Sequence, residues 1–146
     1  MPKPTPKLFS VLLLEDDLEV CSMLLLALHR MEPHLAPFDL DLTLLSTGKS
    51  VEQLINAHPE RQFDVILLDR DCKMNASFHV LDFDQFSPDN IISISSTPMW
   101  NQQAGSIGIA HCVPKSFNDL AGFADRVAEK VFDILSEKKR DIITTT

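Results

Sequence analysis

Short apolar runs that stop at a carboxylate or a hydroxyl recur along this chain, and stretches with helical spacing separate them. Leu8–Leu14 is apolar apart from Ser10 and stops at Glu15-Asp16-Asp17; Val65–Leu68 stops at Asp69; Ile91-Ile92-Ser93-Ile94 stops at Ser95. Runs of this kind predict strands buried on both faces, as in a parallel sheet. Phe38, Leu40, Leu42 and Leu44 alternate instead with Asp39, Asp41 and Thr43. That period of two predicts a strand with one wet face, as an edge strand has. Ala110–Val113 predicts a brief fifth strand.

The intervening segments predict helices. Asp17–Arg30 has acids in its first turn and Asp17 as its N-cap. Gly48–Ala57 is a short helix, Val80–Phe86 a weak one beyond the loop Arg70–Ser77, and Pro98–Gly108 has room only for another short one. Ser87-Pro88-Asp89-Asn90 is a turn. Leu120, Phe123, Ala124, Val127, Val131, Ile134 and Leu135 recur at helical spacing and predict a final amphipathic helix. Strand and helix alternate from end to end, which predicts an α/β fold with a doubly wound parallel sheet. Residues 1–7 form a flexible N-terminal tail in this reading, 8–137 the domain, and 138–146 a polar C-terminal tail.

Composition narrows the function classes. A chain of 146 residues is one domain with a sizeable core. Its formal net charge of −8 argues against direct nucleic-acid binding, which needs a basic face. Cys21, Cys72 and Cys112 lie far apart without paired spacing, so neither a disulfide framework nor a zinc site is expected, and a cytoplasmic location is. Val20–Leu28 is too short to span a bilayer, so membrane insertion is not expected. His29, His34, His58, His79 and His111 show no metal-ligand spacing.

The chemistry-bearing residues fall at strand ends. In open α/β sheets, ligands bind outside the carboxyl ends of the strands, where strand order reverses. Carboxylates gathered there repel one another unless a cation joins them, and oxygen-only ligand sets suit a hard ion such as Mg2+. Taken singly, each residue has a plainer reading. Glu15-Asp16-Asp17 can be helix caps, Asp69 a solvated charge, Ser95 a loop hydroxyl and Lys115 a surface lysine. Their joint recurrence after the first, third, fourth and fifth strands favours one shared rim.

That set resembles the receiver domain of two-component response regulators, over about residues 8 to 137. Val11-Leu12-Leu13-Leu14-Glu15-Asp16-Asp17 is similar to the acidic motif of the family's first strand, and Phe63-Asp64-Val65-Ile66-Leu67-Leu68-Asp69 to its phosphoacceptor strand. Ile94-Ser95-Ser96 is similar to the strand with the switch hydroxyl, and Val113-Pro114-Lys115-Ser116-Phe117 to the final lysine motif. The resemblance implies a flavodoxin-like five-stranded sheet of order 2-1-3-4-5 with helices on both faces. It implies that Asp69 is phosphorylated and that Ser95 and Lys115 contact the phosphoryl oxygens. It implies Mg2+ held by Glu15, Asp16, Asp69 and the backbone carbonyl of Asp71. A histidine kinase or histidine phosphotransfer protein would supply the phosphoryl group. The chain would catalyse only its own phosphorylation and dephosphorylation, acting as a stand-alone receiver through partner contact or phosphorelay. A downstream protein target and a monomer or weak dimer complete the expectation.

The resemblance has departures. Cys72-Lys73 stands where the family often has Met-Pro, Ser77 where Gly is usual, Ser116 where Pro follows the lysine, and Cys112 in place of the aromatic switch residue. They leave the phosphorylation set intact and alter the route from hydroxyl to aromatic. Two other readings use the same residues. Asp69-Arg70-Asp71 after an apolar strand resembles the first motif of haloacid-dehalogenase-type phosphatases, although two elements precede it and no acidic pair follows Lys115 at a strand end. A pseudo-receiver that binds a partner without phosphorylation is the third.

Overall fold

The apolar runs form five strands: β1 (Lys7–Leu14), β2 (Phe38–Leu45), β3 (Val65–Asp69), β4 (Ile91–Ser95) and β5 (His111–Pro114). Four helices join them among the described residues: α1 (Leu18–Met31), α2 (Gly48–Ala57), α3 (Pro98–Ser106) and α4 (Leu120–Thr144). The structure, a computed structural model, describes residues 2–3, 5–71 and 84–145. All strand pairs are parallel, and the order is β2-β1-β3-β4-β5. The chain winds outward from β1 in one direction and then returns to build the other half. The reversal between β1 and β3 leaves a crevice at their carboxyl ends.

Register brings the strand-end residues level. Leu14 pairs with Leu68, so Glu15 and Asp69 come next on adjacent strands. Asp69 pairs with Ile94 and Ser95 with Pro114, which sets Ser95 and Lys115 just beyond. Every residue of β3 and β4 is buried, as a strand covered on both faces requires. Phe9, Val11, Leu13, Val65, Leu67, Ile92 and Ile94 pack with α1 and α4 on one face. Leu12, Leu14, Ile66, Leu68 and Ile91 pack with Val51 of α2, Ala104 of α3, Phe63 and Phe86 on the other. Phe9 and Phe38 stack with ring centroids 4.3 Å apart and tie β1 to β2.

Local signals set the helix starts. Asp17 caps α1 by accepting from the Val20 amide at 3.0 Å, as expected. Thr47 does the same for α2 through the Ser50 amide, and Asp119 for α4 through the Gly122 amide. A side chain at Gly122 would collide with the Asp119 carboxylate, its Cβ falling 2.2 Å from Oδ2. Gly108, at φ +103°, makes the left-handed turn between α3 and β5.

Several expectations need correction. β1 begins at Lys7, so the tail is shorter than residues 1–7. Residues 138–144 continue α4 and do not form a separate tail. Glu137, Lys138, Lys139 and Arg140 are good helix formers without an apolar stripe. Lys139 Nζ donates to the Ala36 carbonyl at 2.5 Å, and Lys138 lies 3.9 Å from an Asp64 oxygen. β5 spans His111–Pro114, one residue later than expected. Residues 80–83 of the expected helix Val80–Phe86, with Cys72, Lys73, Ser77 and His79, lie outside the described residues, while Asp84 and Gln85 sit in a turn.

β2 is an edge strand, but its apolar face is only partly covered. Phe38 is buried, whereas Leu42 and Leu44 are 38% and 44% exposed. The edge itself is occupied by a side chain, because Glu32 Oε2 accepts from the Leu40 amide at 2.8 Å. At the opposite edge, β5 contains Pro114, which has no amide hydrogen to offer. Among the described residues, no helix is long and apolar enough to cross a membrane.

The α1–sheet interface yields a test. Leu24 is fully buried among β1, α1 and α4 residues, and Leu26 on the same helix is 41% exposed. Leu24→Ala is expected to cost about 2–5 kcal/mol. Leu26→Ala is expected to stay within about 0.5 kcal/mol of the parent. Urea midpoints of both variants check the pair, and equal losses would contradict the orientation of α1.

Candidate functional site

Glu15, Asp69 and Lys115 are 1%, 0% and 7% exposed, so three ionisable side chains share one buried pocket. They come from the carboxyl ends of β1, β3 and β5, and apolar strands behind them shut out water. Lys115 Nζ donates to Asp69 Oδ1 at 3.0 Å and lies 3.1 Å from Glu15 Oε2. The Lys115–Glu15 approach is an ion pair without hydrogen-bond geometry. Two acids facing one base leave the pocket short of positive charge.

The oxygens of Asp69 are unequal. Oδ1 accepts from Lys115 and, at 2.8 Å, from the Asp71 amide. Oδ2 is buried and receives no hydrogen bond in the structure, and the same is true of Glu15 Oε2. Buried acceptors without donors are costly. One oxygen each from Glu15, Asp16 and Asp69 lies within 4.8 Å of the others. Two buried carboxylate oxygens that accept no hydrogen bond, one of them only ion-paired to Lys115, in an oxygen-only set fit a hard cation such as Mg2+. Glu15 Oε1 accepts from the Asp17 amide at 3.1 Å, which orients the carboxylate.

Ionisation follows from this crowding. Burial first, then the charge of Asp69, push the Glu15 carboxyl up to about 7, against the pull of Lys115. Burial also raises Asp69, outweighing Lys115 and the Asp71 amide. The two carboxyls are close enough to hydrogen-bond when one is protonated. Burial works against the Lys115 charge, but Asp69 and Glu15 outweigh it and hold the proton more tightly than usual. Burial lifts the Cys21 thiol to about 11, so this neighbour, whose Sγ is 3.6 Å from the Glu15 carbonyl, is not a thiolate.

Ser95 is buried at the end of β4, and its hydroxyl is hydrogen-bonded to residues other than Asp69. Its Oγ donates to Asp71 Oδ1 at 2.6 Å, with the Thr97 carbonyl 3.1 Å away, and accepts from the Thr97 amide at 2.9 Å. Asp71 Oδ2 accepts from the Ser96 amide at 2.7 Å and the Ser96 hydroxyl at 2.8 Å, and lies 3.6 Å from Lys115 Nζ. Burial opposes the Asp71 charge, yet hydrogen bonds from Ser95 and Ser96 win and hold its carboxyl below the usual range. The structure thus gathers Glu15, Asp16, Asp69 and Lys115 directly and joins Ser95 through Asp71. The sequence reading did not foresee the bonds that the Asp71 side chain makes to Ser95 and Ser96, and it gave Ser96 no part. Three consecutive hydroxyl residues, Ser95-Ser96-Thr97, starting at the last position of β4, and an acid two places beyond Asp69 were the available signal. Phe117, 58% exposed, lies with its ring centroid 5.9 Å from Lys115 Nζ.

Away from the acids, Arg70 reaches α3, its guanidinium 5.6 Å from the Trp100 ring centroid and bonded to Gln103 at 2.7 Å. Cys112 donates to the Asn101 carbonyl at 3.4 Å, and Asn101 Oδ1 accepts from Ser93 Oγ at 2.8 Å.

The raised acids set a pH dependence. Glu15 keeps its proton up to about 7 when folded, but ordinarily only to 4.5. The folded state binds more protons in that window, so stability falls as pH rises through it. Metal-free protein is therefore expected to show a higher urea midpoint near pH 4.5 than above pH 7, until other carboxylates protonate. Asp69→Asn keeps an acceptor for Lys115 and removes a charge. It is expected to stabilise the metal-free protein above pH 7 by about 1 kcal/mol. That gain should shrink on acidification, and Mg2+ should stabilise the parent more than the variant. A variant less stable than its parent in chelator at all pH values would contradict the shared carboxylate pocket.

No protein-family model matches the chain, and no curated protein matches it by sequence. Solved structures do match by shape. A response regulator receiver domain from Rhodospirillum rubrum is 12% identical with a TM-score of 0.61, over 85% of this chain and 92% of that one. The phosphorylated cyanobacterial phytochrome response regulator RcpA is 15% identical at 0.60, over 97% of both chains. A response regulator receiver protein from Burkholderia phymatum is 18% identical at 0.60, over 88% of this chain and 95% of that one. At these identities the likeness is one of fold, and the chain has the flavodoxin-like fold of response regulator receiver domains.

Proposed function

We propose that this protein is a phosphoacceptor receiver that takes a phosphoryl group from a histidine kinase or histidine phosphotransfer protein onto Asp69. The observation that carries the reading is the buried Glu15–Asp69–Lys115 pocket, in which Asp69 Oδ1 is held by two donors and Oδ2 by none. Oδ2 is the nucleophile. Its bond to phosphorus forms as the phosphorus–nitrogen bond of the donor phosphohistidine breaks, and the imidazole leaves with a proton. Little covalent chemistry falls to the protein in such a transfer, so positioning and electrostatics dominate. The Asp71 amide and Lys115 fix the Asp69 carboxylate, and the Lys115 ammonium supplies a point charge for one phosphoryl oxygen. Ser95 Oγ donates to another. Glu15, Asp16, Asp69 and the backbone carbonyl of Asp71 would hold Mg2+, which when bound neutralises the acids and the incoming phosphoryl charge.

The aspartyl phosphate carries up to about −2 where the carboxylate carried −1, so about one further negative charge and two more acceptor oxygens then appear in a pocket lined by switchable donors. That supports signalling by a change of partner-facing surface, or onward transfer in a phosphorelay, to a downstream protein in the cytoplasm. The protein acts as a monomer or weak dimer and catalyses only its own phosphorylation and dephosphorylation. The haloacid-dehalogenase-type reading needs Asp71 as a proton donor, yet its carboxyl is held in the ionised form by Ser95 and Ser96. It also leaves buried Glu15 without a role.

Intact-mass spectra after incubation with acetyl phosphate and Mg2+ test the reading. One phosphoryl group is expected on the parent and none on Asp69→Asn, whose amide is a poor nucleophile. Equal labelling of the two would move the site elsewhere. A parent that stays unlabelled would leave a pseudo-receiver, and steady release of phosphate from small esters would favour a phosphatase.

A further inference from the structure

Ser95 has one hydroxyl proton, and in this structure Asp71 holds it. The 2.6 Å contact to Asp71 Oδ1 is shorter than the 3.1 Å approach to the Thr97 carbonyl, and a charged acceptor outcompetes a neutral one. The other Asp71 oxygen takes the Ser96 amide and hydroxyl, at 2.7 and 2.8 Å, with Lys115 Nζ at 3.6 Å. One carboxylate thus engages, from the loop after β3, a set of donors at the ends of β4 and β5. Ser95 and Lys115 are the same donors that a phosphoryl group on Asp69 requires.

We propose that the Asp71 side chain is a built-in competitor for the phosphoryl group: it occupies the Ser95 and Ser96 donors in the resting protein and must release Ser95 before phosphorylation can draw that hydroxyl in. The proposal rests on the phosphoacceptor reading of Asp69 and adds a resting-state latch to it. The latch has a way out, because the Asp71 side chain is 20% exposed and can turn into water, unlike those of Glu15 and Asp69. It also has a reason to give way. A phosphoryl group carries more charge and more acceptor oxygens than a carboxylate. Asp71 therefore lowers the net gain from phosphorylation, since part of each new hydrogen bond is offset by one that is lost. Asp71 acts through Ser95 and is in this sense a positioning residue.

The test is equilibrium binding of beryllofluoride, a tetrahedral phosphoryl mimic that adds to a carboxylate, measured by calorimetry with saturating Mg2+. Asp71→Ala frees the donors and leaves its backbone carbonyl in place; it is expected to bind the mimic about tenfold more tightly than the parent, the scale of one charge-assisted hydrogen bond. The decisive readout is a double-mutant cycle with Ser95→Ala. If the latch works through Ser95, the gain from Asp71→Ala falls by at least half when Ser95 is absent. Asp71→Asn, which keeps the side-chain size, is expected to move affinity in the same direction and serves where the alanine variant folds poorly. Equal affinity in parent and both Asp71 variants would overturn the proposal. So would a gain unchanged by Ser95→Ala, since that would be charge repulsion alone. Failure of the parent and every variant to bind the mimic would overturn the phosphoacceptor reading itself, and the latch with it.

Discussion

One buried ammonium facing two buried carboxylates is the constraint on which the rest of the site depends. A lysine this deep would normally lose its proton, and acids this deep would normally keep theirs. Lys115 stays charged because Asp69 and Glu15 surround it, yet it cannot satisfy both. The deficit has consequences in three directions. It leaves carboxylate oxygens without donors, which invites a hard cation. It raises Glu15 into the neutral range, so the apo pocket is sensitive to pH. It also draws Asp71 into a separate set of donors at its edge. A hydrophobic replacement would be less costly to fold, so the arrangement is best understood as chemistry maintained at the expense of stability.

Most of the fold was legible because parallel strands covered on both faces must be apolar along their length. Val65–Leu68 and Ile91–Ile94 satisfy this almost without interruption, and the acids and hydroxyl that end them mark the rim. What was not legible depends on long-range approach. Lys115 was legible as a member of the strand-end set, but not its burial between two carboxylates that β1 and β3 bring from 100 and 46 positions away. The bond from Ser95 to the Asp71 side chain spans 24 positions, and nothing in the local spacing announces it. Residues 138–144 carry no apolar period, so their helix rests on propensity and on tethers to Ala36 and Asp64. The wet face of β2 was legible, but the exposure of Leu42 and Leu44 on its other face was not, because periodicity is silent on how far a covering helix extends.

Cys112 on β5 presents a small thiol that is hydrogen-bonded to α3. Helix α3 is held by polar contacts as well as by Ala104. Ser93 and Cys112 both engage Asn101, and Arg70, next to Asp69 in the chain, lies against Trp100 and Gln103. The sheet end and this helix are therefore linked by directional bonds, which keep their geometry where apolar packing would tolerate sliding.

Glu32 on the outer rim of β2 also bears on how the molecule meets others. An edge strand with free amides templates further strands, including those of another copy. Here one edge amide is already taken by a carboxylate, and a newcomer would have to strip a charge-assisted bond and bury Glu32. The far edge is a four-residue strand with a proline in it. Sheet growth is discouraged at both edges, so strand pairing between copies is disfavoured and association is left to side-chain surfaces.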